Sequence, residues 1–293
     1  MNITSYDAPY SAADHQTWRS FFQAIEKTWA TYGGLIHPFY MANVEVLRRY
    51  SERIPTLAEI NEMLAPIGWT ATLVDGLAPP WEIARWLDLQ VLPVSRRIRS
   101  PCEIYFANGP DLIHDFFGHI PLLFSQEYRS LLRQWSSAAS HVEISEMDHV
   151  NFHLNKLIVQ SQDHVAPLVM SHLKSAANGL DQFIAHKPSP SLVFDKIYFW
   201  IFEFGIIECL GQKLIMGAGL LSSLSEIENM AIRPVKTALL DQTSVFSTYN
   251  ISTQQDAYLV APDLQHYQAL MAAMITGDDH EALRNGIEVK KRA

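Results

Sequence analysis

Cysteine is nearly absent: Cys102 and Cys209 are the only two in 293 residues. No disulfide framework and no cysteine metal cage can be assembled from two thiols, and each is expected to be a small buried side chain. Positive charge is also scarce. There are 22 Lys and Arg against 31 Asp and Glu, a formal net charge of -9. Such a surface repels phosphate backbones, so nucleic acid is not expected as a partner. The basic clusters Arg96-Arg97 and Lys290-Lys291-Arg292 are too short to reverse that. No run of about 18 apolar residues occurs, so no membrane span is expected. Met1 to Ala12 is polar and lacks the basic-then-apolar order of a signal peptide. Internal repeats, low-complexity tracts and long linkers are missing too. The expectation is one domain over residues 1–293 in a reducing, cytoplasmic location.

What is present fits a chain with a sizeable core: 48% hydrophobic and 18% charged residues. Apolar spacing predicts helices over Trp18 to Tyr32, Pro38 to Tyr50 and Leu57 to Leu64, the last with Thr56 as its N-cap. A short strand is expected at Thr70 to Val74, and Pro79-Pro80 opens a helix to about Leu87. Residues 88–107 read as irregular, with a short strand around Ile104 to Phe106. A glycine-interrupted helix is expected from Leu112 to about Phe117. Residues 122–186 read as mostly helical, with Pro188 and Pro190 ending the run. Ile197 to Leu210 reads as one apolar helix. Leu214 to Met230 holds a Gly-Ala-Gly turn and a helix, and Asp256 to Ala261 a strand. The fold class is mainly α with short β segments.

The chemistry concentrates in Pro110-Asp111-Leu112-Ile113-His114-Asp115-Phe116-Phe117-Gly118-His119-Ile120-Pro121. On a regular helix, His114 and His119 would point roughly 140° apart, so they are not the i, i+4 zinc-peptidase pair. To share a metal the backbone must distort, and Gly118 is the expected place. Alone, the two imidazoles fit two hydrogen-bonded core histidines equally well. Glu203 adds weight, because it sits inside the apolar run Tyr198-Phe199-Trp200-Ile201-Phe202-Glu203-Phe204-Gly205. A buried carboxylate needs a cation or donor beside it, and a salt bridge would serve as well as a metal. Two histidines and one carboxylate make a facial triad that leaves positions of an Fe(II) ion open.

These segments, together with Arg53-Ile54-Pro55-Thr56-Leu57, Gly76-Leu77, Ile98-Arg99 and Gly217-Ala218-Gly219-Leu220-Leu221-Ser222-Ser223 through Glu226, occur in the order found in the tetrahydrobiopterin-dependent aromatic amino acid hydroxylases. The chain resembles their catalytic domain over most of its length. The resemblance implies a monooxygenase using Fe(II), a reduced pterin such as tetrahydrobiopterin, and O2 on an aromatic amino acid, phenylalanine first. It implies His114, His119 and Glu203 as iron ligands, and Arg99, Ser222, Phe199 and Pro110 at the substrate. It places Gly76, Leu77, Ile83, Asp115 and Tyr198 at the pterin, and makes Glu226 the carboxylate that orients a ligand histidine. Asp111 is expected to cap the His114 helix.

There are departures from the family pattern. Ala107-Asn108-Gly109 stands where the family has a threonine that helps hold the amino acid. Asp115 stands for Glu, Ile83 for a pterin-stacking Phe, Phe199 for a substrate-packing Trp, and Pro79-Pro80 for small polar residues. The interval from His119 to Glu203, 84 residues, is a few dozen longer than the family's. The extra helical segment, about 130–188, is expected to form a lid, a substrate wall or a homodimer contact. A second metal at Glu146, His149 and His153 competes there with a plain amphipathic helix. Two other functions stay open: a pterin-independent iron oxygenase, favoured by Ile83, and a catalytically silent aromatic amino acid binding protein.

Overall fold

The computed structural model describes residues 10–107, 109–161, 165–186, 189–247, 249, 254–255 and 257–276. Residues 1–9, Asn108, Pro188, Asp256 and the Lys290-Lys291-Arg292 cluster lie outside them. The helices are α1 (Ala12–Tyr32), α2 (Pro38–Met41), α3 (Leu57–Leu64), α4 (Pro80–Asp88), α5 (Ile120–Leu123), α6 (Gln126–Ala139), α7 (Glu146–Ser161), α8 (Pro167–His186), α9 (Pro190–Tyr198), α10 (Ala218–Leu221), α11 (Leu224–Ile232) and α12 (Leu264–Thr276). The strands are β1 (Thr70–Val74), β2 (Val91–Ser95), β3 (Ile206–Cys209), β4 (Gln212–Ile215), β5 (Lys236–Leu239) and β6 (Ala257–Ala261). β1 and β2 pair in parallel; the second sheet runs β4-β3-β6-β5, with only β3 and β4 antiparallel. The architecture is mainly α with two small sheets, as the sequence suggested. One contiguous cluster of buried side chains extends from Trp18 to Met274. Among the described residues no helix is long and apolar enough to cross a membrane.

Several expectations need correction. α1 starts six residues before Trp18, where Ser11 and Asp14 form a reciprocal capping box. The Pro38 to Tyr50 run is two pieces: α2, then a 3-10 helix from Val44 to Tyr50. No strand forms at Ile104 to Phe106; the strand is β2, upstream. β2 contains Pro93, which is tolerated because in a two-stranded sheet β2 keeps an open edge. The apolar run from Ile197 leaves helix after Glu203, and Ile206-Ile207, β-branched, pass into β3. Leu210 and Gly211, both at positive φ (51 and 79), make the two-residue turn to β4. Cys102 and Cys209 are both free and exposed rather than buried.

The segment around 130–188 divides in two. Leu131, Leu132 and Trp135 of α6 are buried in the main core, and α6 packs on α4. The separate feature is the hairpin of α7 and α8, which pack on each other.

Candidate metal centre

Both candidate metal-binding stretches are wide, π-helical turns, His114–His119 and Phe199–Glu203. In such a turn the backbone bonds run i to i+5, so residues five apart stack on one side. This removes the difficulty with the His114/His119 spacing. The cause of the first turn is Pro121. It has no N–H for the Phe117 carbonyl four residues back, and its ring crowds that carbonyl away. Tyr40 Oη donates to Phe117 O instead, at 2.7 Å. Phe116 and Phe117 fix the turn against α1, with Trp18 ring centroids 5.0 and 5.1 Å away. In the second turn Phe204 N donates to Phe199 O at 2.8 Å, the i to i+5 bond itself.

A wedge of small residues draws the two turns together. A Cβ on Gly118 would lie 2.5 Å from Ala218 O, and one on Gly217 would lie 2.3 Å from Glu203 O. Gly118 lies within the π turn, so the distortion expected near it is present, and its bare Cα also permits close packing against α10. The outcome is a compact donor set. His119 Nε2 lies 3.2 Å from Glu203 Oε1, and His114 Nε2 lies 3.4 Å from Glu203 Oε2. The two imidazole rings are nearly perpendicular, with centroids 5.0 Å apart. With metal bonds of about 2.1 Å, adjacent ligand atoms on one ion would be about 3 Å apart, so these donors fit a single first-row divalent ion.

Electrostatics agree with that fit. Burial pushes His114 down to about 4, helped by the neighbouring His119, so its imidazole is neutral at pH 7. Its tautomer is fixed from behind. Ser222 Oγ donates its proton to Ala218 O at 2.8 Å, so at 2.9 Å it must accept from His114 Nδ1. The lone pair of His114 is thereby left on Nε2, facing Glu203. Burial raises Glu203, but His119, His114 and the Tyr198 hydroxyl overcome this and hold it at about 2. Burial lowers His119, and Glu203 outweighs it to raise the pKa. Ser222→Ala is expected to weaken metal affinity about 10–100-fold, read by competition with a chelator.

Asp115 offers a second carboxylate. Its side-chain oxygen and the nearest nitrogens of His114 and His119 lie within 4.8 Å of one another. It is the more distant carboxylate, 3.9 Å from His114 Nε2, and its Oδ2 accepts from Ser95 N at 2.6 Å. Burial raises its pKa to about 7. Glu203, closer to both imidazoles, is the better ligand. Glu226 has a different partner from the one expected: it accepts from the Tyr258 hydroxyl on β6 rather than from a ligand histidine. Orientation of His114 falls to Ser222. Among the described residues, Glu146, His149 and His153 form no metal grouping; His149 instead packs edge-on against Trp81, centroids 4.8 Å apart.

Above the donors lies a cavity of about 920 Å³, reached by Arg99, Pro110, Asp115, Tyr198, Phe199 and Ser222, and also by Leu77 and Ile83. Gly76 is not on its wall; it holds φ +68 in the loop after β1. Arg99 is 2% exposed, and most of its fork is committed. Nε and Nη2 donate to Asp111 at 2.9 and 2.8 Å, leaving Nη1, 3.4 Å from Ser222 O, nearest to the cavity's other polar groups. Asp111 also accepts from His114 N at 2.9 Å, the expected cap. Phe199 is stacked on Tyr249, centroids 3.4 Å apart, and on Phe204 at 4.4 Å. Of the roles expected for the 130–188 segment, the cavity wall is the one that α7 and α8 residues take; Tyr249 was not expected, since no motif marks a residue that enters a site through tertiary packing alone.

Comparison with known proteins agrees with this geometry. Residues 6–196 and 189–277 match the family described as biopterin-dependent aromatic amino acid hydroxylase. The chain is 28% identical to the phenylalanine-4-hydroxylase of Pseudomonas aeruginosa over 280 residues, 95% of this chain and 89% of that one. It is 26% identical to that of Chromobacterium violaceum, covering 86% and 70%. The fold is similar to the Chromobacterium violaceum phenylalanine hydroxylase crystal structure with bound iron(III) and 7,8-dihydrobiopterin, at TM-score 0.68 and 23% identity over 94% and 87% of the two chains. It is also similar to the Legionella pneumophila enzyme, at TM-score 0.69 and 21% identity over 96% and 92%.

Proposed function

The chain belongs to the biopterin-dependent aromatic amino acid hydroxylases, and from that premise we propose that it is an iron monooxygenase that hydroxylates an aromatic amino acid, phenylalanine being the first to test, with O2 and a reduced pterin. The observation that carries this reading is the convergence of His114 Nε2, His119 Nε2 and both Glu203 oxygens within 3.2–3.4 Å beside the cavity. Those three residues would hold ferrous iron. Iron and reduced pterin, when bound, supply the electrons that activate O2.

The chain's own residues do the positioning. Ser222 holds His114 in the tautomer that presents Nε2. Asp111 locks Arg99 and the His114 backbone to one carboxylate, so the anchor of a substrate carboxylate and the metal ligand move together. Phe199, immobilised between Tyr249 and Phe204, gives the substrate ring a flat apolar wall. Leu77, Ile83 and Tyr198 would border the pterin. Two free, exposed cysteines support a reducing location, the cytoplasm.

The test is oxygen uptake and gain of one oxygen in the product, with Fe(II) and phenylalanine, in the presence and absence of tetrahydropterin. Product formation that depends on the pterin is expected. Equal rates without it would favour the pterin-independent oxygenase, for which Ile83 is the observation. Binding of the amino acid without any product would favour a silent binding protein.

A further inference from the structure

The α7–α8 hairpin turns carboxamides as well as apolar side chains toward the cavity, with Phe152, Ile158 and Ala177 among the latter. Asn151, Asn155 and Ile158, at helical spacing on α7, line the cavity, while Val150 and Leu157 of the same helix are 52% and 47% exposed. Lys174 and Asn178 of α8, both solvent-exposed, border the same cavity at its open side. An ordinary surface helix buries its aliphatic stripe and shows its carboxamides to water. Here the carboxamides are turned inward, toward a space shared with the metal donors.

The inward groups have a definite pattern. Asn155 Nδ2 donates to Asn151 O and Oδ1, both at 3.0 Å. That leaves Asn155 Oδ1 as an acceptor and Asn151 Nδ2 as a donor, with no partner among the described residues. One acceptor beside one donor is the complement of a secondary amide, whose N–H and C=O need one of each. Lys174 has no ion pair among the described residues and adds a positive charge. Asp148, the acidic residue of this face, is already taken by Ser145 and by Ser189 Oγ at 2.6 Å. At the other end, the wall segments next to Arg99 and its partner are Phe106, Ala107, Gly109, Pro110, Ser222 and Ser223. Of the cavity's carboxylates, Glu203 and Asp115 sit at the metal donors, Asp148 is taken by Ser145 and Ser189, and Asp195 accepts from the Tyr249 hydroxyl at 2.7 Å, so a neutral amide nitrogen suits this lining better than a free α-ammonium.

We propose that the hairpin builds a second, polar compartment of the active-site cavity and that the preferred substrate is an N-acylated aromatic amino acid whose acyl chain ends in an acid. Its α-carboxylate meets Arg99, its amide meets Asn151 and Asn155, and its terminal carboxylate meets Lys174. This rests on the proposed function for the placing of the ring, and it specifies which form of the aromatic amino acid is taken.

The experiment measures dissociation constants by anaerobic calorimetry on the iron-loaded full chain for L-phenylalanine, N-acetyl-L-phenylalanine and N-succinyl-L-phenylalanine. The expected order is succinyl tightest, then acetyl, then the free amino acid, with about tenfold between the extremes or more. Lys174→Gln is expected to erase the difference between succinyl and acetyl. Asn155→Ala is expected to bring the acetyl compound toward the free amino acid. Tightest binding of free phenylalanine overturns the proposal, as does an order that neither substitution changes. It is equally overturned if the substitutions alter affinity for tetrahydropterin and leave the order intact. Binding decides the matter whether or not any compound is hydroxylated; failure of all three to give product in the oxygen-uptake assay counts instead against the proposed function.

Discussion

Glu203→Ala should yield a folded protein that retains almost no iron and has lost turnover. The carboxylate is the anionic donor nearest to both imidazoles, at 3.2 and 3.4 Å, with Asp115 farther off. Loss of an outer partner of a ligand typically costs about 10–100-fold in affinity or activity, and removal of a ligand itself should exceed that. Only the more distant Asp115 would then oppose the effect of burial on His119, and it is a poor substitute for the lost ligand. The fold has little to lose, because the backbone bond from Phe204 N to Phe199 O does not involve this side chain and removal of a buried carboxylate relieves its desolvation. Metal analysis, pterin-dependent hydroxylation and a thermal melt check the three parts. Undiminished turnover in the variant would remove the three-donor reading.

Asp111→Ala should be the most destabilising single substitution near the site, by about 3–5 kcal/mol. Asp111 is fully buried and accepts from Arg99 N, Nε and Nη2 and from His114 N. Its removal strands a guanidinium that is itself 2% exposed. The cost is that of an uncompensated buried charge, so replacing both partners with leucine should restore most of the stability without restoring substrate binding. Urea unfolding of the single and double variants separates the two effects. A single variant within about 0.5 kcal/mol of the parent, the range of ordinary surface substitutions, would mean that the pair contributes little. Burial alone would raise the Asp111 pKa, but Arg99 and the backbone donors lower it. Its contribution is therefore present above the unfolded value near 3.9 and is lost as pH falls through the lower folded value.

Much of this site was legible because its identity lies in motifs. His114, His119, Glu203, Arg99 and Ser222 stand in short ungapped segments, and the structure brings all five to one cavity. The backbone that joins them was not legible. A π turn has no residue signature of its own, so the Pro121 that helps to create it looked only like the end of a helix. Gly118 lies in the distorted turn as expected, but its second role was hidden: its bare Cα admits Ala218 across the gap, a contact distant in sequence. The Ile197 run shows the same limit for secondary structure: Glu203 and Ile206 are equally compatible with a helix until Gly205 and the pairing with β4 divide them. The orienting of His114 expected of Glu226 falls to Ser222, because both lie on the same short stretch and only tertiary geometry decides which one faces the imidazole. The α7–α8 wall carried no motif, and its inward asparagines read like any solvent-facing stripe.

The wedge at Gly217-Ala218-Gly219 has a bearing on how such a chain can vary. It fixes the second imidazole relative to the carboxylate by direct contact, so the α7–α8 hairpin, which lies within the 83 residues between them, bears no part of that geometry. The hairpin is free to lengthen, shorten or be exchanged while the base of the site stays intact. A single base can then be fitted with different roofs, and new ligand preferences can arise by remodelling the roof without renegotiating the chemistry beneath it.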